Sequence, residues 1–206
     1  MHKFYFAAIA FMQQFFVWAG IATLIVLPIT LSYAPDLIPD QGIGLLFTIS
    51  LVLVFLVMLI RPLADLFPDV AFLRPLVILR KGFGVLSASI IVSFMLSRLL
   101  IEGVGYLTEF FTPARWSLVT GAFLSPVGDL SALILLVTSN RFSKRVLGKN
   151  WKRIQKLAYV YFYVGCLYEF LFLDQLFALW FAIIVTGVVI GAYAEKRISP
   201  PQPALV

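Results

Sequence analysis

One acidic residue within an apolar stretch is the first candidate for chemistry in this sequence. Asp129 occurs in the motif S-P-V-G-D-L-S, and an aspartate at the centre of a membrane helix costs about 2.5–3.5 kcal/mol. Such a carboxyl group needs a partner or stays protonated. Pro126, four residues earlier, would interrupt the helical hydrogen bonds and free a carbonyl group. The pattern predicts either a proton or cation site or a protonated acid that bonds a freed carbonyl or a neighbouring Ser or Gln.

Aromatic side chains between positions 159 and 172 form the second set of candidates. Aromatic faces bind planar rings, so these side chains are compatible with a quinone or flavin site. The alternative is that they fill the interior of a helix bundle or face lipid. The residues concerned are Tyr159, Tyr161, Phe162, Tyr163, Tyr168, Phe170 and Phe172.

Histidine and cysteine are too scarce for the common metal and redox sites. His2 is the only histidine and lies at the terminus, and Cys166 is the only cysteine. A single cysteine excludes an intrachain disulfide and a thiolate-only metal site within one chain. The sequence contains no glycine-rich phosphate loop, H-E-x-x-H, nucleophile elbow or C-x-x-C motif. We therefore expect no catalytic residues and no metal site.

The composition shows which kind of protein must position these residues. The chain of 206 residues is 62% hydrophobic and 13% charged, whereas soluble domains are about 25% charged. It is therefore predicted to be a multi-pass membrane protein in contact with the lipid bilayer. The net charge of +6 is read as loop charge that sets topology, and not as a nucleic-acid surface.

The apolar stretches predict an all-α bundle of six transmembrane helices in one domain, residues 1–194. Each stretch approaches the ~20 residues needed to span a bilayer. Fourteen of the sixteen basic residues then fall on one side, which places both termini in the cytoplasm. Residues 61–81 and 102–115 are predicted to lie along the two interfaces, and the tail 195–206 to be disordered. The predicted spans are residues 4–31, 43–60, 82–101, 116–138, 154–173 and 175–194.

Two motifs carry a family resemblance over roughly residues 45–175. They are T-S-N-R (138–141) followed by L-G-K-N-W-K-R-I-Q-K-L-A-Y (147–159), and R-K-G-F-G (80–84). Their order and spacing resemble the ferric reductase-like transmembrane domain family, and most of all its haem-binding membrane subunit of the bacterial periplasmic methionine sulfoxide reductase system. The resemblance implies a multi-pass protein of the bacterial inner membrane that transfers electrons and has other membrane or periplasmic subunits as partners.

The resemblance also implies where haem ligands would lie. Members of the family bind haem b through histidines of the third and fifth helices, and those positions here are Phe94, Gln155 and Tyr168. None of the three is a conventional haem ligand; Met95 and Cys166 are the nearest substitutes. We therefore expect no haem, with haem b bound through unusual ligands as the alternative. The aromatic residues of the fifth helix would then fill the abandoned haem volume, which an open cavity between the third and fifth helices would contradict.

Three functions remain open at this point. The first is a haem-free accessory or structural subunit of a membrane redox complex. The second is a true electron-transfer subunit with unusual haem ligation or a quinone or flavin site. The third is a small proton or ion transporter centred on Asp129.

Overall fold

The computed structural model describes residues 2–70 and 72–198, and this part of the chain is helical without strands. Ten α-helices follow one another, and 3-10 turns at Pro35–Leu37 and Pro113–Trp116 join some of them. The α-helices are α1 (His2–Tyr33), α2 (Asp40–Leu66), α3 (Leu73–Leu76), α4 (Leu79–Glu102), α5 (Val104–Phe110), α6 (Leu124–Thr138), α7 (Arg141–Leu147), α8 (Lys149–Ile154), α9 (Leu157–Phe172) and α10 (Leu176–Ile198).

Four helical segments are long and apolar enough to cross a membrane. They are Phe4–Tyr33, Asp40–Leu66, Leu73–Glu102 and Leu176–Glu195. The predicted all-α multi-pass membrane protein is thus supported. Two further predicted spans correspond to α6 and α9, which have 15 and 16 residues and measure about 22–24 Å at 1.5 Å per residue. The number of six spans and the side of each terminus stay predictions.

Several element boundaries differ from the predicted ones. The predicted span 116–138 is helical only from Leu124, because a 3-10 turn and the segment around Gly121, with φ of 72°, precede it. Residues 61–81 do not form one interfacial piece, since they are divided among the end of α2, α3 and the start of α4. Of the predicted disordered tail, residues 195–198 continue α10, and residues 199–206 lie outside the described residues.

Among the described helices, α1 and α4 make the most extensive contact, and two glycines lie within it. A Cβ atom added at Gly82 would lie 2.9 Å from Cβ of Phe16, and one added at Gly20 would lie 3.0 Å from a methyl group of Val85. Small residues let membrane helices approach and gain van der Waals contact where no hydrophobic effect separates helix from lipid. The two glycines therefore hold α1 against α4.

The interior of the bundle lies among α2, α4, α6 and α9, with α10 packed on α2 and α9. Its most buried side chains include Ala132, Phe162 and Val185. By contrast, α1 and α10 expose large apolar side chains such as Phe11, Trp18 and Ile190, each more than 60% accessible. Apolar surface of this extent is expected where a helix faces lipid.

The two ends of the bundle differ in charge, and we name them by it. The basic end contains the last residues of α2, α6 and α10 together with α7 and α8. The start of α1 lies at this end too, because the Tyr5 hydroxyl donates a hydrogen bond of 3.0 Å to the carbonyl of Phe72. The opposite end contains the last turn of α4 and all of α5, which carry Glu102 and Glu109 in ion pairs with Arg98. A separate cavity opens toward each end.

Candidate functional site

A cavity of about 250 Å³ lies among α2, α4, α6 and α9, in the half of the bundle away from the basic end. We call it the carboxylate cavity because Asp129 and Glu169 line it. Gly128 and Gly165 also line it and add no side chain to fill it. Its volume is just under the ~300–1,000 Å³ of most small-molecule sites, which suits a ligand of one ring.

Aromatic rings form one wall of the carboxylate cavity. Phe47 of α2 and Phe94 of α4 stack with centroids 4.6 Å apart and planes 10° apart, and Tyr168 of α9 lies 6.1 Å from Phe47. Phe94 and Tyr168, two of the positions where the resemblance implies haem ligands, are thus brought together at this wall. The hypothesis that aromatics close an abandoned volume between α4 and α9 is wrong, because residues of both helices line an open cavity.

Unpartnered polar atoms are concentrated around the same cavity. Among the described residues, five buried side-chain nitrogen or oxygen atoms make no hydrogen bond, and three of them belong to cavity-lining residues. These three are the Tyr106 hydroxyl, Nε of Arg115 and Oε2 of Glu169. Tyr106 is 2% and Glu169 3% exposed. Buried polar atoms are nearly always satisfied, so two donors and an acceptor beside one cavity make it the main candidate for a site.

The two arginines of the cavity are tied to acidic residues at its mouth. Arg98 contacts Glu102 at 3.2 Å and Glu109 at 3.4 Å, and Arg115 contacts Glu109 at 2.7 Å. Both guanidinium groups also lie over the ring of Tyr106, at 5.3 and 5.4 Å from its centroid. Burial raises the pKa of the Tyr106 hydroxyl above its ordinary value, so this group stays a protonated donor.

Asp129 lies in the second turn of α6, and its partner is a side chain. The Ser125 hydroxyl donates to its Oδ2 at 3.5 Å. The predicted role of Pro126 is wrong: α6 begins at Leu124, so the proline lies in the first turn, where no helical hydrogen bond is interrupted. Arg98 also lines the cavity, and it pairs with Glu102 and Glu109.

Three hydroxyl groups separate the carboxylate cavity from a second cavity at the basic end. The oxygens of Ser50, Ser87 and Tyr161 lie 2.9–3.0 Å from one another, and all three residues are buried. Tyr161 lines both cavities. Because a hydroxyl both donates and accepts, this hydroxyl cluster forms a polar layer across an otherwise apolar interior.

The second cavity is larger, about 880 Å³, and we call it the basic groove. Gln155, the third position aligned with a haem ligand, lines it and donates to the Thr138 hydroxyl at 3.1 Å. The Trp151 indole donates to the Thr138 carbonyl at 2.9 Å. The W-x-x-x-Q part of the motif at 147–159 therefore fixes the start of α9 against the end of α6.

The residues present do not fit haem b. Phe94 and Tyr168 lie at the carboxylate cavity and Gln155 at the basic groove, so the three positions do not surround one site. Met95 lines the carboxylate cavity, whereas Cys166 is 1% exposed within the apolar core. In the described part of the chain no group of three His, Cys, Asp or Glu residues could hold a metal ion. The His2 side chain lies outside that part.

Glu169 is the main functional candidate that sequence reasoning missed. It lies on the buried face of α9 with Phe162 and Cys166. The spacing of these three residues, i, i+4 and i+7, is that of one helix face and could have revealed it. Tyr106 and Arg115 had no such signal, because the turn after α4 brings them to the cavity.

Comparison with known proteins assigns no family. No protein-family model matches the sequence, and no solved structure matches the fold. We therefore infer function from the geometry of the two cavities.

Proposed function

We propose that this membrane protein binds a single-ring compound of the quinone class in the carboxylate cavity and acts as a haem-free subunit of an electron-transfer complex. The observation that carries the proposal is the set of unpartnered polar atoms of Tyr106, Arg115 and Glu169 beside a stacked aromatic wall. The electron-transfer role itself rests on the resemblance of residues 138–159 and 80–84 to membrane redox subunits.

The two redox forms of such a ring match the two kinds of unpartnered atom. A quinone presents carbonyl oxygens, which accept from the Tyr106 hydroxyl or from Nε of Arg115. A quinol presents hydroxyl groups, which donate to Oε2 of Glu169. The Phe47 and Phe94 rings offer an apolar, planar surface for the ring itself. A membrane-soluble ligand of this kind reaches the cavity from the bilayer.

The test is calorimetric titration of the purified protein, in uncharged detergent, with decyl-benzoquinone and with its quinol. Glu169→Gln is expected to weaken quinol binding about tenfold or more, the usual effect of losing a charged hydrogen bond. Tyr106→Phe is expected to weaken quinone binding instead. Glu195→Gln is the matched control, because Glu195 also has a buried, unpartnered oxygen but does not line the cavity.

Two results would contradict the proposal. One is that neither form of the ring binds the intact protein. The other is that Glu195→Gln weakens binding as much as Glu169→Gln does. The haem-free part has its own readout: the absorption spectrum of the purified protein should lack a Soret band.

A second function, proton or ion transport centred on Asp129, is favoured by the hydroxyl cluster. Ser50, Ser87 and Tyr161 connect the cavity of Asp129 to the basic groove through hydrogen bonds of 2.9–3.0 Å. If this path conducts protons, Asp129→Asn should lower proton flux into liposomes at least tenfold, whereas Asp36→Asn, at an exposed acid outside both cavities, should not. Unchanged flux in Asp129→Asn rejects this function.

A further inference from the structure

The basic groove combines a large volume with an uncompensated charge. Among the described residues, six cationic side chains line it and one carboxylate does, that of Asp65. They come from the end of α2, the start of α4, α7, α8 and the turn before α9, so the fold and not one sequence run brings them together. The cations are Arg61, Arg80, Lys81, Lys144, Lys152 and Lys156.

Two of these cations are fixed in place by neighbouring groups. Nε of Arg80 donates to the carbonyl of Val57 at 2.8 Å, which leaves the terminal nitrogens of this partly buried guanidinium for another acceptor. The Lys144 ammonium lies 5.2 Å from the centroid of the Trp151 ring. That ring is itself held by its hydrogen bond to Thr138. The groove is therefore a formed site and not a set of free loop charges.

Basic residues of the same segment are divided between the groove and the surface. Lys144, Lys152 and Lys156 line the groove, whereas Arg145, Lys149 and Arg153 do not. If the charges served only to orient the protein in the membrane, their position relative to the groove would have no effect on ligand binding. Substituting residues of either group therefore removes the same charge, either inside the groove or outside it.

The floor of the groove is apolar. Val57, Met58 and Leu135 line it below the cations, and all three are buried core residues. A free phosphate would use only the cations, whereas a lipid would place its headgroup among them and its glycerol and first methylenes against the floor. The combination favours a ligand with one anionic and one apolar end.

We propose that the basic groove binds the phosphate group of an anion, and that an anionic phospholipid supplies it. The phosphodiester lies between Arg80 and the lysines of α8 and the following turn, and the acyl chains leave toward the bilayer. The site is distinct from the carboxylate cavity and does not depend on the ring compound proposed there.

The experiment compares three probes on the intact protein in uncharged detergent by calorimetry. The probes are dioctanoyl phosphatidylglycerol, dioctanoyl phosphatidylcholine and inorganic phosphate. Phosphatidylglycerol is expected to bind at least tenfold more tightly than phosphatidylcholine or inorganic phosphate. Lys152→Gln with Lys156→Gln should weaken it about 30-fold, as expected for two lysines near an anionic headgroup. Lys149→Gln with Arg153→Gln is the matched control and should change binding less than threefold.

Each outcome decides the proposal. If the protein prefers phosphatidylglycerol and only the groove variant (Lys152→Gln with Lys156→Gln) loses this preference, both the site and its lipid source are supported. If inorganic phosphate binds as tightly as the lipid and is lost in the same variant, the phosphate site stands and its source is soluble. Equal binding of both lipids, or an equal loss in the groove and control variants, overturns it. All four substituted residues are exposed, and circular dichroism checks that the helices are retained.

Discussion

The carboxylate cavity and the basic groove differ in whether the cations that line them have acidic partners. At the carboxylate cavity each arginine has an acidic partner within 3.4 Å, so the cations are balanced and the unpartnered atoms are a hydroxyl, an Nε and a carboxylate oxygen. At the basic groove six cations share a lining with one carboxylate. The first arrangement suits a neutral ligand held by hydrogen bonds, and the second suits an anion attracted by the positive potential.

Only a thin wall separates the two cavities. Val54 and Tyr161 line both of them, and the hydroxyl cluster lies at the same level of the bundle. Because the buried Tyr161 side chain lines both cavities, we expect its ring to keep them separate.

The largest predicted effect comes from removing this wall. Tyr161→Ala should lower the free energy of unfolding by about 3–5 kcal/mol, the usual effect of deleting a buried aromatic ring, and should open a leak for small solutes. Tyr161→Phe keeps the ring and leaves Ser50 bonded to Ser87, so it should cost about 1 kcal/mol and open no leak. Unfolding in sodium dodecyl sulfate and dye efflux from liposomes measure the two quantities. A leak in both variants would show that the hydroxyl, and not the ring, keeps the cavities apart.

Much of the fold follows from the sequence, since apolar length alone predicts helices. The stretches at 4–31 and 43–60 correspond to α1 and α2 with small shifts in their ends. The prediction was less successful at 116–138, because an apolar run does not show where a helix starts. Gly121 and the 3-10 turn at Pro113–Trp116 precede α6, which begins only at Leu124. Pro126 therefore lies in the first turn of α6 and interrupts no helical hydrogen bond.

The candidate site was predicted only in part, because its residues come from six separate elements. Asp129, Phe94 and Tyr168 were identified from sequence and line the carboxylate cavity, whereas Gln155 lines the basic groove. The sequence did not predict that Glu169 is buried, because it lies near the end of a helix, where acidic residues usually face solvent. The hydroxyl cluster needs the crossing of α2, α4 and α9, which no local pattern encodes.

A second prediction contrasts one cation from each region. Arg115 has a side chain 11% exposed, is bonded to Glu109 and lies over two aromatic rings. Arg115→Gln should lower the free energy of unfolding by about 2 kcal/mol, because a largely buried guanidinium is lost together with its hydrogen bond to Glu109 and its contacts with two rings. Lys152→Gln should change it by no more than about 0.5 kcal/mol, since this exposed lysine lies among like charges. Thermal unfolding in detergent measures both, and equal losses would remove the electrostatic distinction between the regions.

The smallest predicted effect concerns salt. Raising ionic strength from 0.1 to 1 M shortens the Debye length from about 10 to about 3 Å, so the attraction between the basic groove and phosphatidylglycerol should weaken about tenfold. Binding of the neutral ring compound in the carboxylate cavity should change less than twofold, because it depends on hydrogen bonds and ring contact. Both affinities can be measured on one protein sample by titration, with phosphatidylcholine as the uncharged control for the groove. If salt weakened the two ligands equally, the carboxylate cavity would also be recognising charge, and the ion pairs of Arg98 and Arg115 would have to open when the ligand binds.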